Sequence, residues 1–250
     1  MSRSAGDRSR AFVARARPLR VLLVAILGTC AGAPAAAQVA GSLAIDSDYR
    51  VRGYSLSAGR PVASARVGLD DKSGLYVDGS AIVVLTRDED ARFLGYQADA
   101  GIARRVGNDW IVDLGVARNE FRAAYPGGYR YTYSEGYVGA TRGPVSAYVF
   151  VSPDYYRSGA WTAYGQLEGA FAPARDWTLA AHLGALEFLS TPALSPVRRY
   201  LSYDWRLGAT RAFGNFEFHV NVSGGGPGRQ YYLGETHSRT ALVAGGSVGF

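Results

Sequence analysis

Hydrophobic and polar residues alternate with period two along most of this chain, most legibly from Tyr203 to Ser223. Phe216, Phe218, Val220 and Val222 alternate with Glu217, His219, Asn221 and Ser223. Just upstream, Tyr203, Trp205, Leu207 and Ala209 alternate with Asp204, Arg206, Gly208 and Thr210. Side chains of a strand point to its two faces in turn, so each segment carries one apolar and one polar face. Phe213-Gly214-Asn215 predicts a tight reversal between them, because Gly and Asn accept positive φ.

The unit recurs along the chain. Strands are predicted at Gly41–Arg52, Arg60–Asp70, Leu75–Leu85, Phe93–Val106, Trp110–Phe121, Tyr131–Arg142, Val145–Ser152, Trp161–Phe171, Trp177–Phe188, Leu201–Ala212, Phe216–Ser223 and Ala241–Phe250. A tilted membrane-spanning strand needs ~9–11 residues, close to most of these. Tyr131–Val138 alternates poorly, and the pattern leaves the faces of Tyr133 and Glu135 unassigned. Connections alternate in length: short at 71–74, 107–109, 143–144, 172–176 and 213–215, and longer at 53–59, 86–92, 122–130, 153–160, 189–200 and 224–240. Loops sorted by end, with an even strand number, predict an all-β fold: a transmembrane antiparallel up-and-down β-barrel of about twelve strands. A soluble barrel of that size would enclose more space than side chains fill, and no helical plug is evident.

If the apolar faces turn to lipid, the polar faces line a lumen. The lumen-lining candidates are Asp46, Asp48, Arg50, Arg52, Arg66, Asp78, Asp99, Asp113, Glu168, Asp204, Arg206, Glu217 and His219. Asp46, Asp48, Arg50 and Arg52 would form a ladder on one face of the first strand, either sorting solutes by charge or pairing to fix register. With Asp70 added, acids outnumber bases in this set, which predicts a mild cation preference. Trp110, Trp161, Trp177, Tyr203, Trp205, Phe213 and Phe216 gather near strand ends, as interfacial girdles require; ordinary strand propensity of aromatics is the alternative.

Composition enters through the N-terminus. Six arginines precede the short apolar run Val21–Leu27, which leads to Ala35-Ala36-Ala37. This predicts a signal peptide over residues 1–37, cleaved near Ala37, and a barrel over 38–250. The long basic stretch fits a translation start downstream of Met1. Leu27-Gly28-Thr29-Cys30 also admits a lipoprotein reading, although Thr before the Cys matches it poorly. The segment holds six of the 27 Lys and Arg and one of the 21 acids, which leaves 21 basic against 20 acidic residues. No basic tract remains to engage nucleic acid. The single cysteine, Cys30, leaves with the peptide, which excludes disulfides and Cys-metal sites from the rest.

Asp46-Ser47-Asp48-Tyr49-Arg50-Val51-Arg52-Gly53-Tyr54-Ser55-Leu56-Ser57, followed by Pro61, resembles the opening motif of the TorF family of proteobacterial porins. Gly74-Leu75-Tyr76 and Ser152-Pro153-Asp154-Tyr155-Tyr156 look like its later motifs. The chain departs from that pattern at Tyr54 and in the Gly-rich stretch 224–234. The resemblance implies an outer-membrane barrel. Phe250, closing a strand with Leu242, Ala244, Gly246 and Val248 in alternation, looks like the signal read by the barrel-assembly machinery.

Catalytic and metal signals are weak. Gly245-Gly246-Ser247-Val248-Gly249 matches G-x-S-x-G, but a nucleophile elbow needs a strand-to-helix turn. Outer-membrane phospholipase uses Ser and His on the outer face, whereas His182 and His219 fall on the polar face and His237 in a loop. Asp88, Glu89 and Asp90 are a solvated acidic loop or a Ca²⁺ site. The expected function is a passive outer-membrane channel for small polar solutes or ions, surrounded by outer-membrane lipid, with no cofactor and no catalysis. The alternatives are a lipid-acting enzyme and a non-conducting barrel whose loops at 122–130 and 224–240 bind a partner.

Overall fold

The computed structural model describes residues 37–86, 91–122, 130–156, 158–190, 201–226 and 240–250. Residues 1–36 of the expected signal peptide, the acidic loop at 88–90, His237 and most of loops 122–130, 189–200 and 224–240 lie outside these residues.

Twelve strands close into one antiparallel barrel. They are β1 (Ala37–Asp46), β4 (Val62–Asp71), β5 (Leu75–Val84), β6 (Arg92–Val106), β7 (Trp110–Arg122), β8 (Arg130–Arg142), β9 (Val145–Ser152), β10 (Thr162–Ala174), β11 (Trp177–Phe188), β12 (Leu201–Phe213), β13 (Phe216–Gly226) and β14 (Ala241–Gly249). Between β1 and β4 lies a separate two-stranded hairpin, β2 (Arg50–Val51) and β3 (Tyr54–Ser55). Each barrel strand pairs with its neighbours in sequence order, and β14 closes on β1 with Asp46 opposite Gly245 and Ser42 opposite Gly249. Phe250 continues the seam, exchanging two 2.9 Å backbone hydrogen bonds with Gly41. Its ring lies where a Cβ on residue 41 would be, so only glycine allows this approach.

Period-two alternation becomes an inside and an outside. Leu114 and Val116 are 59% and 62% exposed, and Leu43, Leu183, Leu207, Phe218 and Val220 share that outer surface. Such a continuous apolar belt on a barrel wall is stable when hydrocarbon, not water, surrounds it. Exposed aromatics lie toward both ends: Trp110, Trp177, Phe213 and Phe216 at the short turns, and Phe93, Trp161 and Tyr203 at the long loops. Arg142 lies 5.5 Å over the Trp110 ring and Arg211 lies 5.3 Å over that of Trp177, holding cationic heads at the girdle. Trp205 is instead half-buried beside Gly224.

Two differences from the sequence reading have local causes. β10 runs on to Ala174 through an irregularity after Phe171, so the turn is only Arg175-Asp176, with Asp176 at φ 65°. The first strand starts at Ala37 and stops at Asp46, not at Arg52. Beyond Asp46 the alternation continues, but the chain leaves the wall.

Inside the loop end lies a compact apolar cluster. Val62, Ile82, Val84, Leu94, Phe121, Tyr133, Tyr164, Leu186 and Phe188 from the wall meet Leu56, Tyr155 and Ala160 from two loops. The opposite end carries no comparable cluster among the described residues.

A closed barrel has no free edge from which to unzip. The folded protein should therefore run faster on SDS gels unheated than boiled, and identical mobility would contradict closure. Val220→Arg places a cation on the lipid-facing belt, where it costs roughly 2–4 kcal/mol near mid-membrane. Asn221, one residue on, faces the lumen. Refolding yield into lipid should fall sharply for Val220→Arg and little for Asn221→Arg.

Candidate functional site

The first loop is built around one carboxylate. Asp48 Oδ1 accepts hydrogen bonds from Ser55 Oγ at 2.5 Å and Ser57 Oγ at 2.7 Å, while Asp48 Oδ2 pairs with Arg50 Nη1 at 3.1 Å. Ser57 Oγ also accepts from the Tyr49 backbone N–H. These bonds fold the loop on itself and draw it off the wall. At the tip, Arg52 and Gly53 have φ of 49° and 80° between the paired residues Val51 and Tyr54. Positive φ at both central positions marks a type I′ turn, matched to the twist of a two-residue hairpin.

The expected ladder is therefore corrected: only Asp46 belongs to the first barrel strand. Asp48, Arg50 and Arg52 sit on a hairpin that crosses the lumen. Tyr49 donates its hydroxyl to Gln97 on β6 at 2.8 Å, and its ring meets Phe121 of β7. A Cβ on Gly53 would lie 2.9 Å from Asp204 Cβ and 3.1 Å from the Gly224 carbonyl, so the tip abuts β12 and β13. Arg52 Nη2 binds both oxygens of Glu135 on β8, at 2.7 and 2.9 Å. Its guanidinium lies 4.0 Å from the Tyr164 ring centre, with Tyr155, Phe150 and Tyr133 at 5.0 to 5.9 Å. Glu135 is 5% exposed, and a buried charge that loses its partner is strongly unfavourable. The pair thus fixes where the hairpin rests.

A polar cavity of about 880 Å³ occupies the lumen. Of the predicted lining residues, Asp46, Asp48, Arg50, Arg52, Arg66, Asp78, Asp99, Asp113, Glu168, Asp204, Arg206 and His219 border it. Glu217 does not; it is exposed near the short turn Gly214-Asn215, beside a separate small depression. Asp70 is likewise outside the cavity lining. The structure sorts the lining into groups. Arg66 pairs with Asp78 at 2.8 Å, and Asp78 stands directly across from Asp99. Asp113 accepts hydroxyl hydrogen bonds from Tyr76 and Tyr148, and Tyr76 also contacts Tyr137. His182 bridges Glu168 at 3.1 Å and Asp204 at 2.8 Å, with Tyr164 donating to Asp204. His219 meets Asp46 at 2.7 Å.

Sequence reasoning missed Glu135 and the inward tyrosines. Tyr133, Glu135 and Tyr137 all face the lumen on β8, whose outward positions include Ser134 and Gly136. With a weakly apolar outer face and an aromatic inner face, period two is present but its polarity is blurred. The usable signal was glycine: Tyr76 pairs with Gly101, Tyr137 with Gly115 and Tyr148 with Gly139, each ring lying over the glycine opposite. A Cβ at those glycines would overlap the ring.

Ser247 lies mid-strand, paired to Ala44 and Glu217, without the strand-to-helix turn of an elbow. His182 and His219 both point inward onto carboxylates. No cluster of three or more metal-ligating side chains occurs among the described residues.

Comparison with known proteins places the fold. The chain is similar to the NanC porin at 12% identity and a TM-score of 0.52, covering 83% of this chain and 98% of that one. It is similar to the KdgM porin at 10% identity and a TM-score of 0.51, covering 84% and 99%. A KdgM porin complex with disordered oligogalacturonate matches equally, at 10% and 0.51. No curated protein matches the chain. The family model described as a bacterial protein of unknown function (Gcw_chp) matches residues 30–223. With most of its length so matched, and with a barrel of the porin type, the chain belongs to the bacterial family Gcw_chp.

Proposed function

We propose that this protein is an outer-membrane channel through which small polar solutes diffuse passively. The observation that carries the reading is a closed barrel with an apolar outer belt around a polar, water-accessible cavity. A wall of this kind is suited to lipid outside and water inside. The likeness of the Ser-Asp-Tyr…Arg-Gly motif to TorF porins supports the same reading, as do the terminal Phe250 and the basic–apolar–Ala leader. In this proposal the leader is removed near Ala37, next to the start of β1, and the barrel-assembly machinery reads the last strand. The barrel works without catalysis or a cofactor.

Lumen charge favours cationic and neutral solutes. Eight carboxylates border the cavity (Asp46, Asp48, Asp78, Asp99, Asp113, Glu135, Glu168 and Asp204), against four guanidinium groups (Arg50, Arg52, Arg66 and Arg206). A low-dielectric wall focuses that excess into the pore. The oligogalacturonate of the KdgM complex is a polyanion, so the acidic lumen argues against carrying it over. The buried apolar cluster and the crossing hairpin favour a narrow or closed loop end at rest, and conductance per channel is expected to be small.

Outer-membrane fractions should contain the mature chain, and its recovery in soluble periplasm would end the reading. In planar bilayers under a KCl gradient, the reversal potential should report a mild cation preference. Arg50→Ala with Arg52→Ala uncovers Asp48 and Glu135 and should raise that preference. Anion preference in the parent, or an unchanged reversal potential in the double variant, would show that the cavity charges do not border the conduction path.

A further inference from the structure

The surroundings of Arg52 form a receptor, occupied by the chain itself. Three of the rings belong to the barrel wall on successive strands: Tyr133 on β8, Phe150 on β9 and Tyr164 on β10. Phe150 lies 6.1 Å from the Tyr164 ring and is backed by Tyr137 at 5.3 Å. Tyr155 adds a fourth face, packed edge-on to Tyr133 at 4.7 Å. Glu135 supplies one carboxylate at the side. Aromatic faces around a cation within about 6 Å of each ring centre, with an anion alongside, are the chemistry that holds guanidinium and substituted ammonium groups. Tyr133, Glu135, Phe150 and Tyr164 are carried by wall strands and not by the hairpin.

Arg52 fits the cage incompletely. Only Nη2 reaches Glu135, while Nη1 is buried with no hydrogen-bond partner. A buried donor left unpaired weakens the hold of its side chain. The residue sits at the tip of a two-residue turn, on the hairpin and not on the wall. Tyr133, Glu135, Phe150 and Tyr164 all border the lumen cavity, which gives a dissolved solute a route to the same place.

We propose that Glu135, Tyr133, Phe150 and Tyr164 form a binding site for guanidinium-type organic cations, occupied at rest by Arg52, and that such a solute displaces Arg52 and releases the hairpin from the lumen. The displacement half rests on the channel reading above, and the binding half stands without it. Arg52 competes as a tethered group, whose effective concentration is in the millimolar range, so the free competitor must exceed about 10 mM.

Methylguanidinium chloride, which reproduces the head group of Arg52, is the probe. Calorimetric titration in detergent should show it binding the Arg52→Ala protein, in which the cage is vacated. Adding Glu135→Gln to that variant should weaken binding at least tenfold. Absence of binding to Arg52→Ala, or equal binding by the double variant, overturns the site. Arg52 lies on the hairpin and not on the wall, so the barrel should still assemble; if Arg52→Ala fails the heat-mobility check, Arg52→Gln replaces it in the same titration. In bilayers, methylguanidinium on the short-turn side should raise wild-type conductance several-fold over equimolar NaCl. Arg52→Ala should already conduct at the raised level and respond no further. A wild-type channel indifferent to the probe while Arg52→Ala conducts more overturns displacement. Binding intact with every variant electrically silent overturns the channel reading and leaves the site standing.

Discussion

Backbone hydrogen bonding in a medium without water is the constraint on which the molecule depends. An unpaired N–H or C=O in hydrocarbon costs several kcal/mol, so a strand can cross lipid only when both edges are paired. Twelve strands meet that condition by pairing β14 to β1. Phe250 binds the Gly41 backbone, and its ring occupies the space that any side chain at position 41 would fill. The C-terminal aromatic and the early glycine are thus one feature of the fold, contributed by opposite ends of the described chain.

Closure creates an interior that twelve strands make too wide for ordinary side chains to fill. This protein fills it in two ways. Around mid-lumen, Tyr76, Tyr137 and Tyr148 lie across inward glycines on neighbouring strands, and Tyr76 and Tyr148 put their hydroxyls on Asp113. At the loop end, the first loop turns inward and packs with Tyr155 and Ala160 against wall residues to make a small apolar core. What remains between these fillings is an acidic cavity. Its hydrogen-bonded pairs, Arg66–Asp78, His182 with Glu168 and Asp204, and His219–Asp46, hold side chains in fixed positions while leaving net negative charge.

The Gcw_chp relationship and the KdgM and NanC likenesses rest on different kinds of agreement. The family model follows this chain's own residue pattern, including the Ser-Asp-Tyr…Arg-Gly stretch that forms the hairpin. The porin structures share the barrel at 10–12% identity, which speaks to strand number and closure and not to what the lumen accepts. Solute preference therefore has to be argued from this lumen's own side chains, and the cage around Arg52 is their most specific arrangement.

Strand number, the ends of most strands, the sorting of loops and the lipid-facing positions were legible in the sequence, because all follow from a local period of two. Val220 and Asn221, or Leu114 and Asp113, declare their faces to any reader who knows that neighbouring strand residues point apart. The lumen side of β8 was not legible, since Tyr133 and Tyr137 carry apolar rings on the inner face and Ser134 and Gly136 soften the outer one. The first loop was misread for a related reason. Asp46, Asp48, Arg50 and Arg52 keep the strand period, but only Asp46 pairs with neighbouring strands of the wall. The bonds that take them into the lumen run from Arg52 to Glu135, 83 residues away, and from Tyr49 to Gln97, 48 away. Contacts at that separation leave no periodic trace in the chain. The sequence by itself determined a barrel and its two faces, through local alternation. Only the tertiary structure decided that the opening motif would leave the wall and place its arginine in an aromatic cage on the far side, because that choice is made by partners which closure of the barrel first brings together.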